Sequence, residues 1–366
     1  MNNKRSGSNE GTPKAQVSGG KYASIKLGLD VHADTIVVVR IIENSGPQPA
    51  QTFAPEQFLE WVKAQVAKAR EVHSCYEAGP FGYGLHRALV AMGVVNRVVQ
   101  AVRLDERSTG VVNDKTDARE LAMRLDRYVA GNGRAMALVN VPSPEEEQRR
   151  VVSRQREQIQ RGMQRIAAQG RGLLLTQGYR EKKQWWSPRR WKELEGKLPG
   201  WLREALERFK RMLEAIEAEK TRIEGDLTRT TSQERPKGMG PLTREVIDRE
   251  VGDWGRFKNR RQIGSYTGLC GGVSSSGANR RQTSVTKHGN VRLRTALVEM
   301  AWRMVMYQPE SRLVKKWSPV LGNPRSTKGA KKKAIVAIGR QLAVDLWRWR
   351  TGRAKAEDFG WVMMGA

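Results

Sequence analysis

The stretch YASIKLGLDVHADTIVVVRII, Tyr22 to Ile42, decides the fold of the first part of this chain. Tyr22 to Asp30 is apolar, strand-like, and ends on a carboxylate. A short turn follows at Val31 to Ala33. Thr35 to Ile42 is then a β-branched run of the kind that packs on a pleated surface. SGPQP punctuates the chain, and a short third strand fits Ala50 to Phe53. A helical pattern runs from about Pro55 to Arg70. Val72 to Tyr76 is a short buried strand that ends on a second carboxylate, Glu77. Gly-Pro opens a helix near Phe81 to Met92, Val94 to Val99 is a further strand, and Asp114 to Tyr128 reads as a helix with Leu121, Leu125 and Tyr128 on one face. Three strands, then helix, strand, helix, strand and helix, predict an α/β sheet of the RNase H-like type.

Four acids stand out on this frame: Asp30 in KLGLD, Glu77 in SCYEAGP, and Asp114 with Asp117 in VVNDKTDARELA. Residues three apart share a helix face, and strand-end carboxylates can meet that face at the end of a sheet. Oxygen ligands in this number suit Mg²⁺, which polarises a phosphate and lowers the pKa of an attacking hydroxyl. A single Asp would more simply cap a helix or pair with an Arg; four so placed on a chain of formal net charge +28 favour the metal site. His32 reads as a loop histidine beside Asp30, His86 as a packing residue and Cys75 as an inert buried thiol. Asp105 and Glu106 lack a strand-end position.

The charge balance, 66 Lys and Arg against 38 Asp and Glu over 366 residues, points to nucleic acid before a membrane surface. No apolar run is long enough to span a bilayer. The first residues, MNNKRSGSNEGTPKAQVSGGK, lack the apolar core of a signal peptide and read as a disordered basic arm. Two isolated cysteines and four scattered histidines make no zinc cluster, and an intracellular protein with reduced thiols is expected.

From about Ser143 to Thr231 the chain turns helical and highly charged. PSPEEEQRR has the features of a helix start, and a second helix from about Gly200 to Arg229 carries an apolar seam of Leu202, Leu206, Phe209, Leu213, Ile216, Ile223 and Leu227. Two arrangements fit this seam: an antiparallel coiled-coil arm, and an ordinary helical hairpin packed on its own domain. Between the helices, YREKKQWWSPRRWKELEGKLPGW sets Trp185, Trp186, Trp191 and Trp201 among cations that include Arg189 and Arg190. Such a segment can stack bases and hold phosphates, the reading favoured here, or anchor a helix tip or a dimer contact.

Near Pro236 a third part begins. In PKGMGPLTREVI, Gly238 and Gly240 suit a helix-hairpin-helix turn whose backbone N–H groups face phosphate; an ordinary turn is the simpler reading of GxG alone. Phe257 to Met306 reads as helical, interrupted by a Gly/Ser-rich loop, GLCGGVSSSGANRR. Ser276 lies in that loop, followed by Arg280, Arg281, Lys287, Arg292 and Arg294. A serine hydroxyl needs a base, a metal or a cationic site to attack, and a collar of cations would hold a scissile phosphate. Ser274 and Ser275 leave the choice of serine open on chemistry alone. STKGAKKKAIVAIGRQLAVDLWRWR is a basic stretch leading into an amphipathic helix.

From about Ile25 to Trp349 the chain resembles the DEDD transposases of bacterial insertion sequences, the bridge-RNA-guided recombinases. The matching segments are LGLDVHAD, SCYEAGPFGYGL, NDKTDARELA, the GMG of Gly238 to Gly240, RFKNRRQIGSYTGL, VSSSG and TKHGNVRLR. Two departures are present: Cys270-Gly271 stands where the family commonly has Pro, and Ser274 where it often has Tyr. The resemblance implies a RuvC-like RNase H-fold domain over 22–142, a coiled-coil or helical arm over 143–232, and a transposase domain over 233–366. It implies Asp30, Glu77, Asp114 and Asp117 as Mg²⁺ ligands and Ser276 as the catalytic nucleophile. The acids and Ser276 would meet across subunits of a homo-oligomer, a dimer or a tetramer on DNA. Donor and target DNA and a noncoding guide RNA are the implied partners, with sequence chosen by base pairing, and the location is cytoplasmic at the nucleoid. Competing expectations are a RuvC-like nuclease in which water attacks, and a non-catalytic nucleic-acid-binding protein.

Overall fold

The computed structural model describes residues 21–100, 114–181, 184–229, 231, 233–276 and 279–365, with the side chains of 273–276 and 279–283 outside it. Residues 1–20, with most of the N-terminal arm, and Asp105, Glu106 and Gly277 therefore lie outside the described residues. The chain divides after Val141 into two compact units.

The first unit is built on a five-stranded sheet in the order β3-β2-β1-β4-β5: β1 (Tyr22–Val31), β2 (Ile36–Ile42), β3 (Gln51–Phe53), β4 (Ala69–Glu77) and β5 (Val95–Val99). β1 pairs antiparallel with β2 and parallel with β4, and β4 pairs parallel with β5. Strand parity sorts the side chains. Ile25, Leu27 and Leu29 of β1 and Val72 and Tyr76 of β4 join one core with Phe58 and Val62 of α1 (Pro55–Lys68) and Leu89 of α2 (Gly84–Ala91). The opposite parity, Lys26, Gly28 and Asp30 on β1 and Cys75 and Glu77 on β4, faces α3 (Asp114–Val129). Gly28 is required there. A Cβ on it would lie 2.2 Å from the Ala122 amide nitrogen and 2.3 Å from the Ala118 carbonyl oxygen. Lys26 crosses under the far end of the helix to Asp126, with Nζ 2.8 Å from its carboxylate. The helix is thus pinned along the strand with its first turn above the strand ends.

The second unit is mainly helical. α4 (Pro144–Thr176) opens on a reciprocal cap, in which the Ser143 hydroxyl accepts from Glu146 N–H at 3.1 Å and the Glu146 carboxylate from Ser143 N–H at 3.0 Å. α6 (Gly200–Thr228) returns antiparallel along it, the two forming a helical hairpin. Its core comprises Met163, Ala167 and Leu174 facing Leu202, Leu206 and Leu213, closed at the tip by Trp185, Trp186 and Trp191, the last on α5 (Pro188–Glu195). A second core packs α7 (Pro241–Val251), α8 (Arg260–Tyr266), α9 (Val291–Tyr307), α10 (Arg312–Leu321) and α11 (Lys328–Arg350). α11 begins at a Thr327 cap and becomes the central helix; among its buried residues are Ile335, Ile338 and Leu342, which pack with Leu297 and Met300 of α9. The short strand β6 (Arg235–Pro236) pairs with β9 (Met363–Met364) near the end of the chain.

The stretch expected as a Gly/Ser loop is instead a two-stranded antiparallel hairpin, β7 (Gly271–Ser276) and β8 (Asn279–Val285). Its second strand, NRRQTSV, carries the extended-backbone residues that the serine run lacks, and pairing with it draws the serines into a strand. The mixed α/β sheet and the predominance of helix after it agree with the class expected from the sequence.

Candidate active site

The acidic cluster lies where three elements of the first unit end together. β1 delivers Asp30, β4 delivers Glu77, and the first turn of α3 carries Asp114 and Asp117, where the helix N-terminus favours negative charge. The parallel register pairs Gly28 with Cys75 and Leu29 with Tyr76, so the next residues along the two strands are Asp30 and Glu77. His32 joins them: its Nε2 lies 3.1 Å from Asp30 Oδ2 and 3.5 Å from Asp114 Oδ2. One ligand atom from each of Asp30, His32 and Asp114 falls within 4.8 Å of the others, a spacing that can hold a cation. Glu77 and Asp117 belong to the same electrostatic site. Burial, then the charges of Asp117 and Asp30, push the Glu77 carboxyl above its usual range. Burial, then Asp30 and Asp114, do the same to Asp117. Two carboxyls raised by neighbouring carboxylates mark a site that a hard cation would relieve. His32, expected as a loop histidine, is therefore part of the cluster. The available signal was its two-residue spacing from Asp30 at a strand end, which returns a side chain to the same face.

The neighbouring groups stand apart from this chemistry. Burial pushes the Cys75 thiol up to about 12, and it donates weakly to the Leu121 carbonyl at 3.4 Å. His86 Nδ1 is 2.8 Å from Asn96 Nδ2, on α2 on the other side of the sheet.

The serine hairpin belongs to the second unit. Ser276 ends β7, paired with Asn279; Ser275 pairs with Arg280 and Ser274 with Arg281. The side chains of Ser276, Arg280 and Arg281 lie outside the described residues. Two cations expected in a phosphate collar also make contacts within the protein. Arg292 forms an ion pair with Glu157 of α4. Arg294 donates from Nη1 to the Lys287 carbonyl at 3.0 Å and the Thr267 carbonyl at 3.3 Å, tying the two stretches that lead into and out of the hairpin. Lys287 is exposed and holds a left-handed φ of 56° in that tie. Gly238, at φ 91°, turns the chain against α9, where a Cβ would meet the Arg303 carbonyl at 3.3 Å; Gly240 caps α7.

The two tryptophans expected to stack bases do not face solvent. Trp185 is 0 % exposed and Trp186 5 %. Trp185 Nε1 donates to the Ala167 carbonyl at 3.0 Å and Trp186 Nε1 to Glu217 at 3.3 Å. The tip of a two-helix hairpin has no third element to bury against, so the connecting segment supplies the rings that fill it. Arg190 is bound there to Glu181 and Glu193, whereas Arg189 stays exposed with a loose 3.7 Å pair to Glu193.

The family model described as Transposase IS116/IS110/IS902 family matches residues 234–315. A protein of Sinorhizobium fredii with the provisional name transposase y4rJ is 32 % identical over 300 residues, 75 % of each chain. This chain belongs to that insertion-sequence transposase family. A second S. fredii protein, provisionally transposase y4qE, is 29 % identical over 324 residues, covering 78 % of this chain and 77 % of its own. The transposase for insertion sequence element IS1533 of Leptospira borgpetersenii is 29 % identical over 116 residues, 29 % of this chain and 32 % of its own. The matched family segment of this transposase spans α7, α8, the serine hairpin, α9 and the start of α10. Among its described residues no helix is long and apolar enough to cross a membrane.

Proposed function

We propose that this transposase breaks and rejoins DNA through Ser276, with Asp30, Glu77, Asp114 and Asp117 as the Mg²⁺ site of a RuvC-like domain. The observation that carries this reading is the placement of the four acids at one end of a sheet ordered β3-β2-β1-β4-β5, where burial and the neighbouring carboxylates hold Glu77 and Asp117 above their usual range. The donor set fits the ion: carboxylate oxygens of Asp30 and Asp114 lie close enough to share it, and Glu77 and Asp117, outside that 4.8 Å group, feel its charge from the adjoining strand end and helix turn. Bound there, Mg²⁺ would neutralise phosphate charge and favour ionisation of an attacking hydroxyl. The Ser276 oxygen attacks the phosphorus of a DNA phosphodiester and a deoxyribose oxygen leaves. The bond is conserved as a phosphoserine ester, and attack by the freed end of an exchanged strand restores the serine. His32, on Asp30 and Asp114, holds the two carboxylates in register.

A noncoding guide RNA selects donor and target DNA by base pairing, and the chain acts as a homo-oligomer, a dimer that forms a tetramer on DNA. The large positive charge supports this by binding both nucleic acids through their backbones. The test is to express the protein with its native flanking DNA, sequence the RNA that co-purifies, and assemble the DNA its loops specify. Ser276→Ala and Asp30→Asn are each expected to abolish strand exchange, and Ser276→Ala to abolish the covalent protein–DNA adduct. Free cleaved ends with no adduct would replace the serine by water as nucleophile, and heterogeneous cellular RNA would remove the guide.

A further inference from the structure

The two stretches that bound the serine hairpin are bonded to each other at its base. Thr286 N–H donates to the Cys270 carbonyl at 2.9 Å, Lys287 N–H to Gly268 at 3.1 Å, and Asn290 N–H to Tyr266 at 2.8 Å. Gly289 permits this approach: its φ is 143°, and a Cβ on it would lie 2.5 Å from the Tyr266 carbonyl oxygen. Against this base lies Glu250 of α7, which is 0 % exposed. Its carboxylate accepts from Asn290 Nδ2 at 2.8 Å and from both Nε and Nη2 of Arg154 at 3.1 Å. Its backbone carbonyl accepts from the Tyr266 hydroxyl at 2.9 Å, and Asn290 Nδ2 also reaches that hydroxyl at 3.2 Å. One buried residue therefore bonds the residue that leads into the hairpin, the residue that leads out of it, and α4 of the helical hairpin.

The rest of the seam has the same character. Along α4, at helical spacing, Glu146 accepts from Asp253 N–H at 3.0 Å, Arg150 Nε donates to the Arg249 carbonyl at 2.9 Å, and Glu157 pairs with Arg292. Burial works to raise the Glu250 carboxyl, and the Arg154 and Asn290 hydrogen bonds, with the charges of Arg154 and Arg292, outweigh it and hold the group ionised below its usual range. The pair joins a buried carboxylate to a half-exposed guanidinium; such a pair adds little to stability over an apolar contact of the same size, and what it adds is a defined geometry.

We propose that Glu250 is a positioning residue for the serine hairpin, joining Tyr266 and Asn290 at its base to Arg154 of α4 so that the helical hairpin and the serine hairpin keep one relative setting. Glu250 touches no substrate; it acts through Asn290 and Tyr266. The catalytic consequence rests on the reading of Ser276 as nucleophile. The experiment uses the full chain with its co-purified RNA and a duplex carrying the element's own end. Three variants are compared with wild type: the double variant Arg154→Met/Glu250→Gln, which leaves no orphan charge, Arg154→Lys and Tyr266→Phe. Amide hydrogen exchange over 266–290, DNA affinity, and the single-turnover rate of adduct formation at saturating DNA are measured.

The folded double variant is expected to exchange about tenfold faster over 266–290. It should bind DNA as before and form adduct on the order of a hundredfold more slowly, with Arg154→Lys recovering part of both losses. Wild-type exchange in the double variant, or slow adduct formation with unchanged exchange, overturns the proposal. Should the double variant not fold, Tyr266→Phe decides, since it deletes one hydroxyl only: faster exchange supports the tie and unchanged exchange overturns it. Adduct formation by Ser276→Ala would remove the nucleophile reading alone, and the exchange result would still decide the tie.

Discussion

At the scale of single residues, two positions have consequences that can be measured directly. Gly28 lets α3 lie on β1 closely enough for Asp114 and Asp117 to reach Asp30. Gly28→Ala places a methyl group against helix backbone that cannot step aside, and is expected to destabilise the first unit by about 3 kcal/mol. Urea unfolding followed by circular dichroism checks this, and Mg²⁺ titration should weaken in parallel. Asp345, buried in α11, has its carboxyl raised from 3.8 to about 6, chiefly by burial, against an opposing Gln341 hydrogen bond and the Arg348 charge. The folded state therefore holds a proton more tightly than the unfolded chain. The resulting cost is absent below about pH 4, grows as pH rises, and is complete above about pH 6, where it reaches roughly 3 kcal/mol. Asp345→Asn keeps the acceptor for Gln341 and removes that cost. It is expected to raise the thermal midpoint at pH 7 and leave it unchanged at pH 4.

At the scale of elements, the helical hairpin shows how composition can suggest one role and packing assign another. The α4 and α6 seam ends at a tip that Trp185 fills, with its ring against the Gly170 position, where a Cβ would lie 2.2 Å from Cζ2. Trp185→Ala is expected to cost about 3–5 kcal/mol through the cavity it leaves. Its effect on nucleic-acid affinity should be no larger than that of unfolding the tip. Arg189→Ala, at an exposed position on the same tip, should leave the melting midpoint within about a degree. The pair separates a packing tryptophan from a surface cation. The serine hairpin is a short ribbon tied at its base, where the Gly289 approach and the Asn290 bonds are made. Its setting therefore depends on neighbours distant in sequence.

At the scale of the molecule, the net charge of +28 remains a surplus after the internal ion pairs of Arg154, Arg156, Arg190 and Arg292 are formed. Binding to a non-specific duplex is accordingly expected to be dominated by phosphate contacts and counterion release. Affinity should fall by roughly a thousandfold or more between 50 and 200 mM salt, along a straight line in log–log form. Fluorescence anisotropy with a labelled duplex measures the slope. A shallow line would mean that base or shape contacts carry the binding.

The elements of the first unit were legible in the chain because their signals are local. The apolar run in YASIKLGLD, the β-branched run to Ile42, the short buried strand before Glu77 and the one-sided helix from Asp114 each mark an element, and the parallel register of β1 on β4 then sets Asp30 and Glu77 on one face. The helix start in PSPEEEQRR and the long helices after it were legible for the same reason, whereas the reciprocal cap at Ser143 came from the structure. Other assignments needed partners that no local pattern names. Whether tryptophans among arginines meet bases or fill a helix tip depends on what else is present to fill the tip. Whether a serine run is loop or strand depends on the NRRQTSV strand beside it. That Arg292 and Arg294 also bind protein depends on Glu157 and the carbonyls at the hairpin base. Periodicity determined which faces are buried; only the tertiary structure decided what each face is buried against, because the partners lie up to 135 residues away along the chain.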